Sequence, residues 1–353
     1  MKIKSKIDIR ALSSKELESF FLDIGEPLYR VKQVEKWLWQ KGISSFDQMK
    51  NISKFTRKIL EENFVINNIK VEYHQKSKDG TIKNSIRLFD GLKIESVLIP
   101  TENRITACIS SQVGCSLDCK FCATSRLKRL RNLNPDEIFD QVLLINMQAK
   151  KYYNKSLTNI VFMGMGEPLM NYNNVVKAIN KISAVDGLGI SLKKITLSTS
   201  GIPKMIKKLA DDKVKFQLAV SLHSARQSIR EKIMPFTVNF PLNELKDSLE
   251  YWYSKTKKRV TYEYIIWKDI NDKDEDIKSL VEFCSYIPSK VNFIEYNNIG
   301  SDDFLSVSYN KILSYQDALK RANITSTIRK SRGEDISAAC GQLANNISRN
   351  SKY

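Results

Sequence analysis

From about residue 105 onward, short apolar segments alternate with longer amphipathic segments. Seven apolar segments are candidate strands: Thr106–Ser110, Ile160–Met163, Lys194–Ser198, Phe216–Ser221, Val260–Ile266, Val291–Tyr296 and Ile324–Arg329. The candidate helices between them include Pro135–Ala149, Asn173–Ser183, Leu242–Tyr253, Asp274–Tyr286 and Lys311–Arg321. Strand–helix alternation is typical of a parallel sheet. About six such units predict an α/β fold, a partial (βα)6 barrel, with its chemistry at the C-terminal ends of the strands.

The segment from about residue 8 to residue 70 has a helical pattern. Pro27 precedes an apolar stripe of Val31, Val34 and Leu38, and Gly42 is a stop signal. Basic and aromatic side chains share this segment: Arg30, Lys32, Lys36, Lys41, Trp37 and Trp39. The helix therefore either contacts RNA or exposes a charged face above a small core.

Residues 84–99 show the two-residue alternation of strands on either side of a turn signal. Ile86 and Leu88 alternate before Asp90-Gly91, and Leu92 and Ile94 alternate after it. Asp-Gly between alternating segments predicts a β-hairpin.

The charge balance favours a polyanionic partner. The 353 residues contain 57 Lys and Arg against 39 Asp and Glu, a net charge of +18. Nucleic acid is the usual partner of such a surface, and an anionic membrane surface or a generally basic protein is the alternative. No apolar run approaches the roughly 18 residues of a membrane span. The charged N-terminus does not resemble a signal peptide, so we expect a cytoplasmic protein.

Three cysteines with C-x3-C-x2-C spacing, Cys115, Cys119 and Cys122, lie on one short segment. Four thiolates normally hold an Fe–S cluster, so three on a 4Fe-4S cluster leave one iron open to a small molecule. Zinc would need a fourth ligand, and the two histidines, His74 and His223, are distant in sequence. Structural disulfides would require an oxidising compartment. An iron–sulfur site is the favoured interpretation.

A glycine-rich turn follows the candidate strand Ile160–Met163. Residues 164–168 read Gly-Met-Gly-Glu-Pro. Glycines allow a ligand to approach the backbone, and the Glu167 carboxylate could bind an ammonium group. A phosphate loop or a plain tight turn would give the same signal.

Polar side chains end the following strands. The three-cysteine motif resembles that of the radical S-adenosylmethionine (SAM) enzymes, and this resemblance implies SAM as a ligand. Ser198, Ser221 and His223 would suit its ribose and carboxylate, and Asn297 ends a later strand. A single histidine is more often structural, and a single asparagine is more often a turn residue.

Two further cysteines differ from ordinary buried thiols. Cys108 lies on a strand seven residues before the cluster motif, and Cys340 lies in a small-residue loop that Gly341 closes. An exposed thiolate in such a loop can be a nucleophile. Cys284, in the middle of a helix beside Phe283, fits a small buried hydrophobe.

These motifs together resemble one family. Residues 108–115, 162–169, 197–201 and 338–343 are similar to the radical SAM adenine-C2 methyltransferases of 23S ribosomal RNA, the RlmN type. The likeness runs in order from about residue 26 to residue 344. It implies an N-terminal helical accessory domain that binds RNA (1–75), a linker hairpin (76–104), a radical SAM core (105–330) and a catalytic-cysteine loop with the tail (331–353).

The resemblance implies roles for particular residues. Cys115, Cys119 and Cys122 would hold the 4Fe-4S cluster. Contacts to SAM would come from Gly166, Glu167, Ser198, Ser221, Leu222, His223 and Asn297. Cys340 would carry a methyl group from a first SAM, and a second SAM would supply the radical. Cys108 would then release the product through a transient disulfide. Glu95 matches the family's proton acceptor, although a solvated hairpin glutamate has the same signal.

The resemblance also implies partners. These are 23S rRNA before or during ribosome assembly, tRNA at the adenine 3′ of the anticodon, and an electron donor such as flavodoxin or ferredoxin, with no membrane. Two segments depart from the family: residues 125–133 lack an expected Gly-Phe and are more basic, and residues 295–298 replace Trp-Asn-Pro. A sister group methylates carbon 8, and Pro168 favours carbon 2.

Two other classes share some of these features. A radical SAM protein that uses SAM only as an oxidant would need no methyl-carrying thiol, so Cys108 and Cys340 argue against it. An RNA-binding protein with a structural or redox-sensing cluster would not need the strand-end motifs. The sequence therefore favours a SAM-dependent, iron–sulfur RNA methyltransferase.

Overall fold

A computed structural model of the chain describes residues 6–300 and 303–345. Its centre is a ten-stranded sheet in which neighbouring strands follow the chain order. The strands are β1 (Lys70–Lys76), β2 (Ile82–Arg87), β3 (Lys93–Pro100), β4 (Ile105–Cys108), β5 (Asn159–Phe162), β6 (Ile195–Thr199), β7 (Gln217–Ser221), β8 (Val260–Tyr264), β9 (Ser289–Ile294) and β10 (Thr325–Arg329). The seven strands from β4 to β10 are parallel, and β1–β4 pair antiparallel.

Helices connect the parallel strands. The helices are α1 (Ser14–Asp23), α2 (Tyr29–Glu35), α3 (Lys54–Asn63), α4 (Pro135–Tyr153), α5 (Tyr172–Ser183), α6 (Pro203–Asp211), α7 (Gln227–Ile233), α8 (Leu242–Thr256), α9 (Asp274–Ser285) and α10 (Tyr309–Arg321). Six βα units and a final strand thus form the predicted partial barrel. All seven predicted parallel strands are present, and α6 and α7 were not predicted.

Most of the parallel strands have an apolar outer face and a more polar inner face, as β6 shows. On β6, Ile195 and Leu197 are fully buried, whereas Thr196 and Ser198 are half-buried and line cavities inside the barrel. The outer face packs under the helices, because helix and sheet must cover each other's apolar surfaces. The inner face is therefore free to carry chemistry.

The N-terminal region is mostly helical, as predicted, but it also contains strands. Ile7–Asp8 pairs with Phe64–Val65. Val31, Val34 and Leu38 are buried, which confirms the apolar stripe. The helix α2 continues into a π-helical turn at Lys36–Gln40. Trp39 is core, packing edge-on against Phe139 of α4, rather than part of an RNA-binding face.

The predicted hairpin is formed by β2 and β3, with Gly91 in a left-handed conformation at the turn (φ 83°). The strand β1, which was not predicted and lies almost entirely beyond the predicted helical segment 8–70, adds to its edge. The tail from residue 346 onward lies outside the described residues. In the described part of the chain, no helix is both long and apolar enough to cross a membrane.

Candidate active site

The cysteine loop follows β4 and is held at its base by a short strand pair, Gln112–Val113 with Arg131–Asn132. Gly114 has φ +76°, and a Cβ there would lie 2.3 Å from the carbonyl oxygen of Lys128. Only glycine permits this close backbone approach. The loop then turns through a hydrogen bond from the Cys122 N–H to the Cys119 carbonyl, 3.2 Å. As a result, all three cysteines face one cavity.

This cavity, here called the cysteine cavity, lies at the C-terminal ends of β5–β8. The predicted site residues that line it are Cys115, Cys119, Cys122, Gly166, Glu167, Ser198, Ser221, His223 and Cys340. These residues come from five strand ends or loops that are far apart in sequence. The structure therefore brings together most of the predicted site.

The three cysteines suit a 4Fe-4S cluster. Burial raises the pKa of the Cys119 thiol well above its usual value, and the nearby Cys122 and Cys115 raise it further. Clustered thiolates therefore need positive charge, which iron supplies. Among the described residues, no three His, Cys, Asp or Glu side chains converge to hold a single metal ion. A cubane cluster requires no such convergence, because each thiolate binds a different iron.

The glycine turn is fixed by the cysteine-loop base and by the next strand. Gly166 has φ +94°, and a Cβ there would lie 2.4 Å from Cβ of Gln112. The Glu167 N–H donates to Gln112 Oε1 (2.9 Å). The Glu167 carboxylate accepts from the backbone N–H of Ser200 (2.7 Å) and of Leu169 (3.0 Å). Thus Glu167 joins the ends of β5 and β6 and places a buried carboxylate in the cavity.

His223 is a neutral imidazole in a strained backbone position, with φ 54°. Burial, and next the charge of Arg230, lower its pKa to about 3. Its Nδ1 accepts from the Ile265 N–H (3.2 Å), so Nε2 carries the proton. Phe121 of the cysteine loop packs edge-on against the ring at 4.6 Å. The imidazole can therefore donate one hydrogen bond to a molecule in the cysteine cavity.

A second cavity, here called the barrel cavity, has a volume of about 620 Å³ inside the barrel. Cys108 and Arg329 line it. Cys340 lines both this cavity and the cysteine cavity. Cys108 and Cys340 are free thiols. One reactive thiol can therefore face a cofactor on one side and a second thiol on the other.

Three predicted site residues line neither cavity. Leu222 is fully buried, and its N–H donates to the Glu263 carbonyl (3.1 Å). Asn297 donates through Nδ2 to the Cys340 carbonyl (3.3 Å), so it contacts the loop that carries Cys340 rather than either cavity. Glu95 is fully buried beside Lys83, with 3.0 Å between Oε1 and Nζ. Its Oε2 accepts from the Ala344 N–H (2.9 Å), four residues after Cys340.

Three charged residues near the site were not predicted from the sequence. Arg230 of α7 is fully buried and donates to the carbonyls of Ser200 (2.7 Å) and Leu222 (3.2 Å), which braces two strand ends. Glu263 on β8 lines both cavities, and Arg329 at the end of β10 lines the barrel cavity. A single charge within or at the end of an apolar strand was the available signal for Glu263 and Arg329.

Comparisons with known proteins identify the family. Residues 7–66 match the family model "Ribosomal RNA large subunit methyltransferase N-terminal domain", and residues 109–283 match "Radical SAM superfamily". A protein of Christiangramia forsetii named "Probable dual-specificity RNA methyltransferase RlmN" is 61% identical over 96% of this chain and 97% of its own length. A protein of Flavobacterium johnsoniae with the same name is 60% identical over 98% of this chain and 99% of its own length.

A solved structure is also similar over nearly the whole chain. The crystal structure of a radical SAM methyltransferase from Sphaerobacter thermophilus has a TM-score of 0.90 and 33% identity, covering 96% of this chain and 100% of that one. The radical SAM superfamily match implies SAM and a 4Fe-4S cluster as cofactors. The fold, the cysteine cavity and these relatives together show that the chain belongs to the RlmN family of radical SAM RNA methyltransferases.

Proposed function

We propose that this protein methylates carbon 2 of an adenine in 23S rRNA, at the peptidyl transferase centre, and of the adenine 3′ of the anticodon in some tRNAs. The observation that carries the proposal is the position of Cys340 between the two cavities. One side holds the three cluster cysteines, and the other holds Cys108. This is the arrangement that a methyl-carrying thiol and a resolving thiol require.

The cofactor residues have separate tasks. Cys115, Cys119 and Cys122 would hold the 4Fe-4S cluster, which supplies the electron that turns SAM into a hydrogen-abstracting radical. Glu167, Ser198, Ser221 and His223 would bind SAM through the donors and acceptors that line the cysteine cavity. The walls of the cavity keep water away from the reacting atoms.

The two special cysteines carry the group transfer. The Cys340 thiolate would attack the methyl carbon of a first SAM, forming an S–CH3 bond and releasing S-adenosylhomocysteine. A second SAM would supply the radical, so two SAM molecules would be used in each turnover. Once the methylene carbon has bonded to carbon 2 of the adenine, the adduct would give up its unpaired electron, which the oxidised cluster would take back, and the carbon-2 proton. The Cys108 thiolate would then attack the Cys340 sulfur. The S–C bond breaks, its electron pair stays on the carbon, and a proton from water completes the methyl group. Both cysteines are thereby oxidised to a disulfide, which an external reductant must reopen.

The remaining assignments rest on the family. Glu95 is the proposed proton acceptor, and flavodoxin or ferredoxin is the proposed electron donor. The barrel cavity falls within the 300–1,000 Å³ typical of small-molecule pockets, so an adenine turned out of a non-helical RNA segment would fit there. Free cysteines and a reducible disulfide suit the cytoplasm.

Nucleoside mass spectrometry of 23S rRNA and tRNA from a deletion strain tests the proposal. We expect 2-methyladenosine to be missing, to return with the wild-type gene, and to stay missing with Cys340→Ala. Cys108→Ala should attach RNA covalently to Cys340, visible as a ribonuclease-sensitive band on a denaturing gel. Recovery of 8-methyladenosine would overturn the choice of carbon, and full activity of both variants would overturn the thiol scheme.

A further inference from the structure

Arg329 is a positively charged residue on the cavity that Cys108 and Cys340 also line. It is the last residue of β10, the edge strand of the sheet, and its side chain lines the barrel cavity with Cys108 and Cys340. Its Nη1 lies 3.6 Å from Sδ of Met163, at the end of β5. The guanidinium thus reaches across the open side of the barrel from β10 towards β5, which pairs with the strand of Cys108.

The hydrogen bonding of Arg329 differs from that of two other enclosed arginines, Arg10 and Arg131. Arg10 is engaged by Asp8, Asp136 and Asp140, and Arg131 by Asp90 and Glu137, in bonds between 2.6 and 3.4 Å. Among the described residues, the side-chain bond found for Arg329 is to the Met163 sulfur. Because a thioether is a weak acceptor, the bond to Met163 does not neutralise Arg329, and its positive charge acts on Cys340, Glu263 and Cys108.

We propose that Arg329 is a positioning residue that stabilises the thiolate of Cys108, and so speeds its attack on Cys340. This inference rests on the proposed function of the two cysteines. The thiolate, not the thiol, is the nucleophile in disulfide exchange. A nearby guanidinium favours the thiolate, and its effect is large where the surroundings exclude water.

The surroundings of Cys108 otherwise disfavour its thiolate. Burial, and next the proximity of Cys340, raise the pKa of Cys108 to about 12, and Arg329 opposes both. The other charged groups that line the barrel cavity are Arg104, Glu263, Lys290, Lys330 and Arg332. Glu263 opposes Arg329. Arg329 lowers the pKa of the Cys340 thiol, whereas Glu263 raises it. Asn292 Nδ2 donates a hydrogen bond to Glu263 Oε1 (3.0 Å), and no hydrogen-bond partner for Oε2 is found among the described residues.

The test compares Arg329→Gln, Arg329→Lys and the control Lys330→Gln in the full-length, cluster-loaded protein. Lys330 is the next residue along the chain and lines the same cavity, but it is exposed to solvent. The first measurement is the rate of Cys108 alkylation by iodoacetamide across pH, followed by peptide mass spectrometry. Thermal unfolding of each variant shows whether it is folded.

We expect the alkylation profile of Arg329→Gln to move to higher pH by at least one unit, which is about a tenfold lower rate at a fixed pH well below the wild-type midpoint. Arg329→Lys should move less, and Lys330→Gln should follow the wild type. Superimposable profiles for Arg329→Gln and the wild type would overturn the proposal. An equal shift in Lys330→Gln would also overturn it, because any cation of the cavity would then have the same effect.

The second measurement is RNA release. Arg329→Gln should accumulate the RNA-linked form that the wild type does not, and raising the pH should clear it. Loss of activity without the RNA-linked form would contradict a role in resolution. A wild-type protein that methylates no RNA would refute the proposed function. The alkylation profiles would still test the role of Arg329, because alkylation of Cys108 needs no RNA.

Discussion

At the scale of single residues, the six cysteines of this chain are distinguished by their neighbours rather than by their burial. Burial raises the pKa of Cys284 to about 12, as it does for Cys108. Yet Cys284 lies in the helix α9 with a serine for a neighbour, whereas Cys108 has a second thiol and a guanidinium nearby. Reactivity therefore depends on the charge beside the sulfur and on what can reach it.

Glu95 combines two roles that a pair of variants can separate. Glu95→Gln should lower the free energy of unfolding by roughly 3 kcal/mol, because Lys83 would be left as a buried charge without its partner. The double variant Glu95→Gln with Lys83→Met should regain most of that stability. We nevertheless expect it to make no methylated RNA, since the carboxylate is the proposed proton acceptor. Urea unfolding measures the free energy of unfolding, and nucleoside mass spectrometry measures the methylation of RNA.

Either measurement can contradict these two roles of Glu95. If the double variant stays as unstable as Glu95→Gln, the Lys83–Glu95 pair is not the source of the loss. If the double variant methylates RNA at the wild-type rate, Glu95 only anchors the Cys340 loop through the Ala344 N–H.

At the scale of elements, strand register builds a polar layer inside the barrel. Ser221, Glu263, Asn292 and Thr327 are direct partners on β7, β8, β9 and β10. Asn292 donates to Glu263 (3.0 Å) and accepts from the Thr327 hydroxyl (2.7 Å). This chain of bonds orients the buried carboxylate, which a slip of one residue in register would move to the outer face.

The turn after β5 packs closely against Gln112, and this contact leads to a prediction. Gly166→Ala adds a Cβ that would meet Gln112 at 2.4 Å, whereas Gly91, also at positive φ, has no atom within 4 Å of such a Cβ. Both variants incur the left-handed strain of roughly 1–2 kcal/mol. Only Gly166→Ala should also displace the turn that carries Glu167, and so lose SAM binding.

Equilibrium dialysis with SAM and thermal unfolding of both variants make this comparison. A Gly166→Ala protein that binds SAM like Gly91→Ala would show that the turn can shift without harm to the cavity. Weak SAM binding by both would mean that strain alone, rather than the contact with Gln112, is responsible.

Periodicity predicted the elements whose burial is regular and missed those whose burial is not. The seven parallel strands carry apolar runs, because their outer faces are covered by helices. The strand β1, in contrast, is half exposed along its length and has no apolar face to mark it. Motif spacing located the three cluster cysteines and Cys340. Glu263 and Arg329 could not be placed, since their importance comes from register across strands that are distant in sequence.

At the scale of the whole molecule, one buried arginine attaches the N-terminal region to the barrel. Arg10 lies 2.9 Å from Asp140 and 3.4 Å from Asp136, both on α4, and 3.2 Å from Asp8. Burial is the main cause that raises the pKa of Asp136 to about 7 and of Asp140 to about 6, and Arg10 opposes it. One cation therefore faces more carboxylates than it can neutralise.

This cluster predicts a pH-dependent stability. A carboxyl whose pKa is higher in the folded than in the unfolded chain contributes stability at low pH and loses it as the pH rises through the folded value, here about 7. The wild type should therefore lose roughly 2 kcal/mol between about pH 5 and 8. Asp136→Asn should flatten the profile, and the exposed control Asp47→Asn should not. Parallel profiles for all three proteins in urea unfolding would contradict this.

The net charge of +18 leads to the last prediction, which concerns RNA binding. Lys128 and Arg129 are exposed on the cysteine loop at the active-site edge of the barrel. Arg131 in the same basic run is instead held by Glu137 (2.7 Å) and Asp90 (2.6 Å), so it contributes to the fold. Phosphate contacts release counterions, and the affinity for single-stranded RNA therefore falls with salt in proportion to the number of contacts.

Replacing Lys128 and Arg129 by Gln should reduce the slope of log affinity against log salt by roughly 1 to 1.5, the effect of two lost phosphate contacts. The matched control is Lys150→Gln with Lys151→Gln, which removes two exposed charges from the end of α4. That end lies beside the start of β5, on the opposite edge of the barrel from the cysteine cavity. Fluorescence anisotropy of a labelled RNA hairpin across a salt series measures both slopes. If the slope falls equally in the two double variants, RNA affinity depends on the total charge of the protein and not on phosphate contacts made by the cysteine loop. A loop that contacts RNA directly should give a larger reduction in its own double variant than in the control.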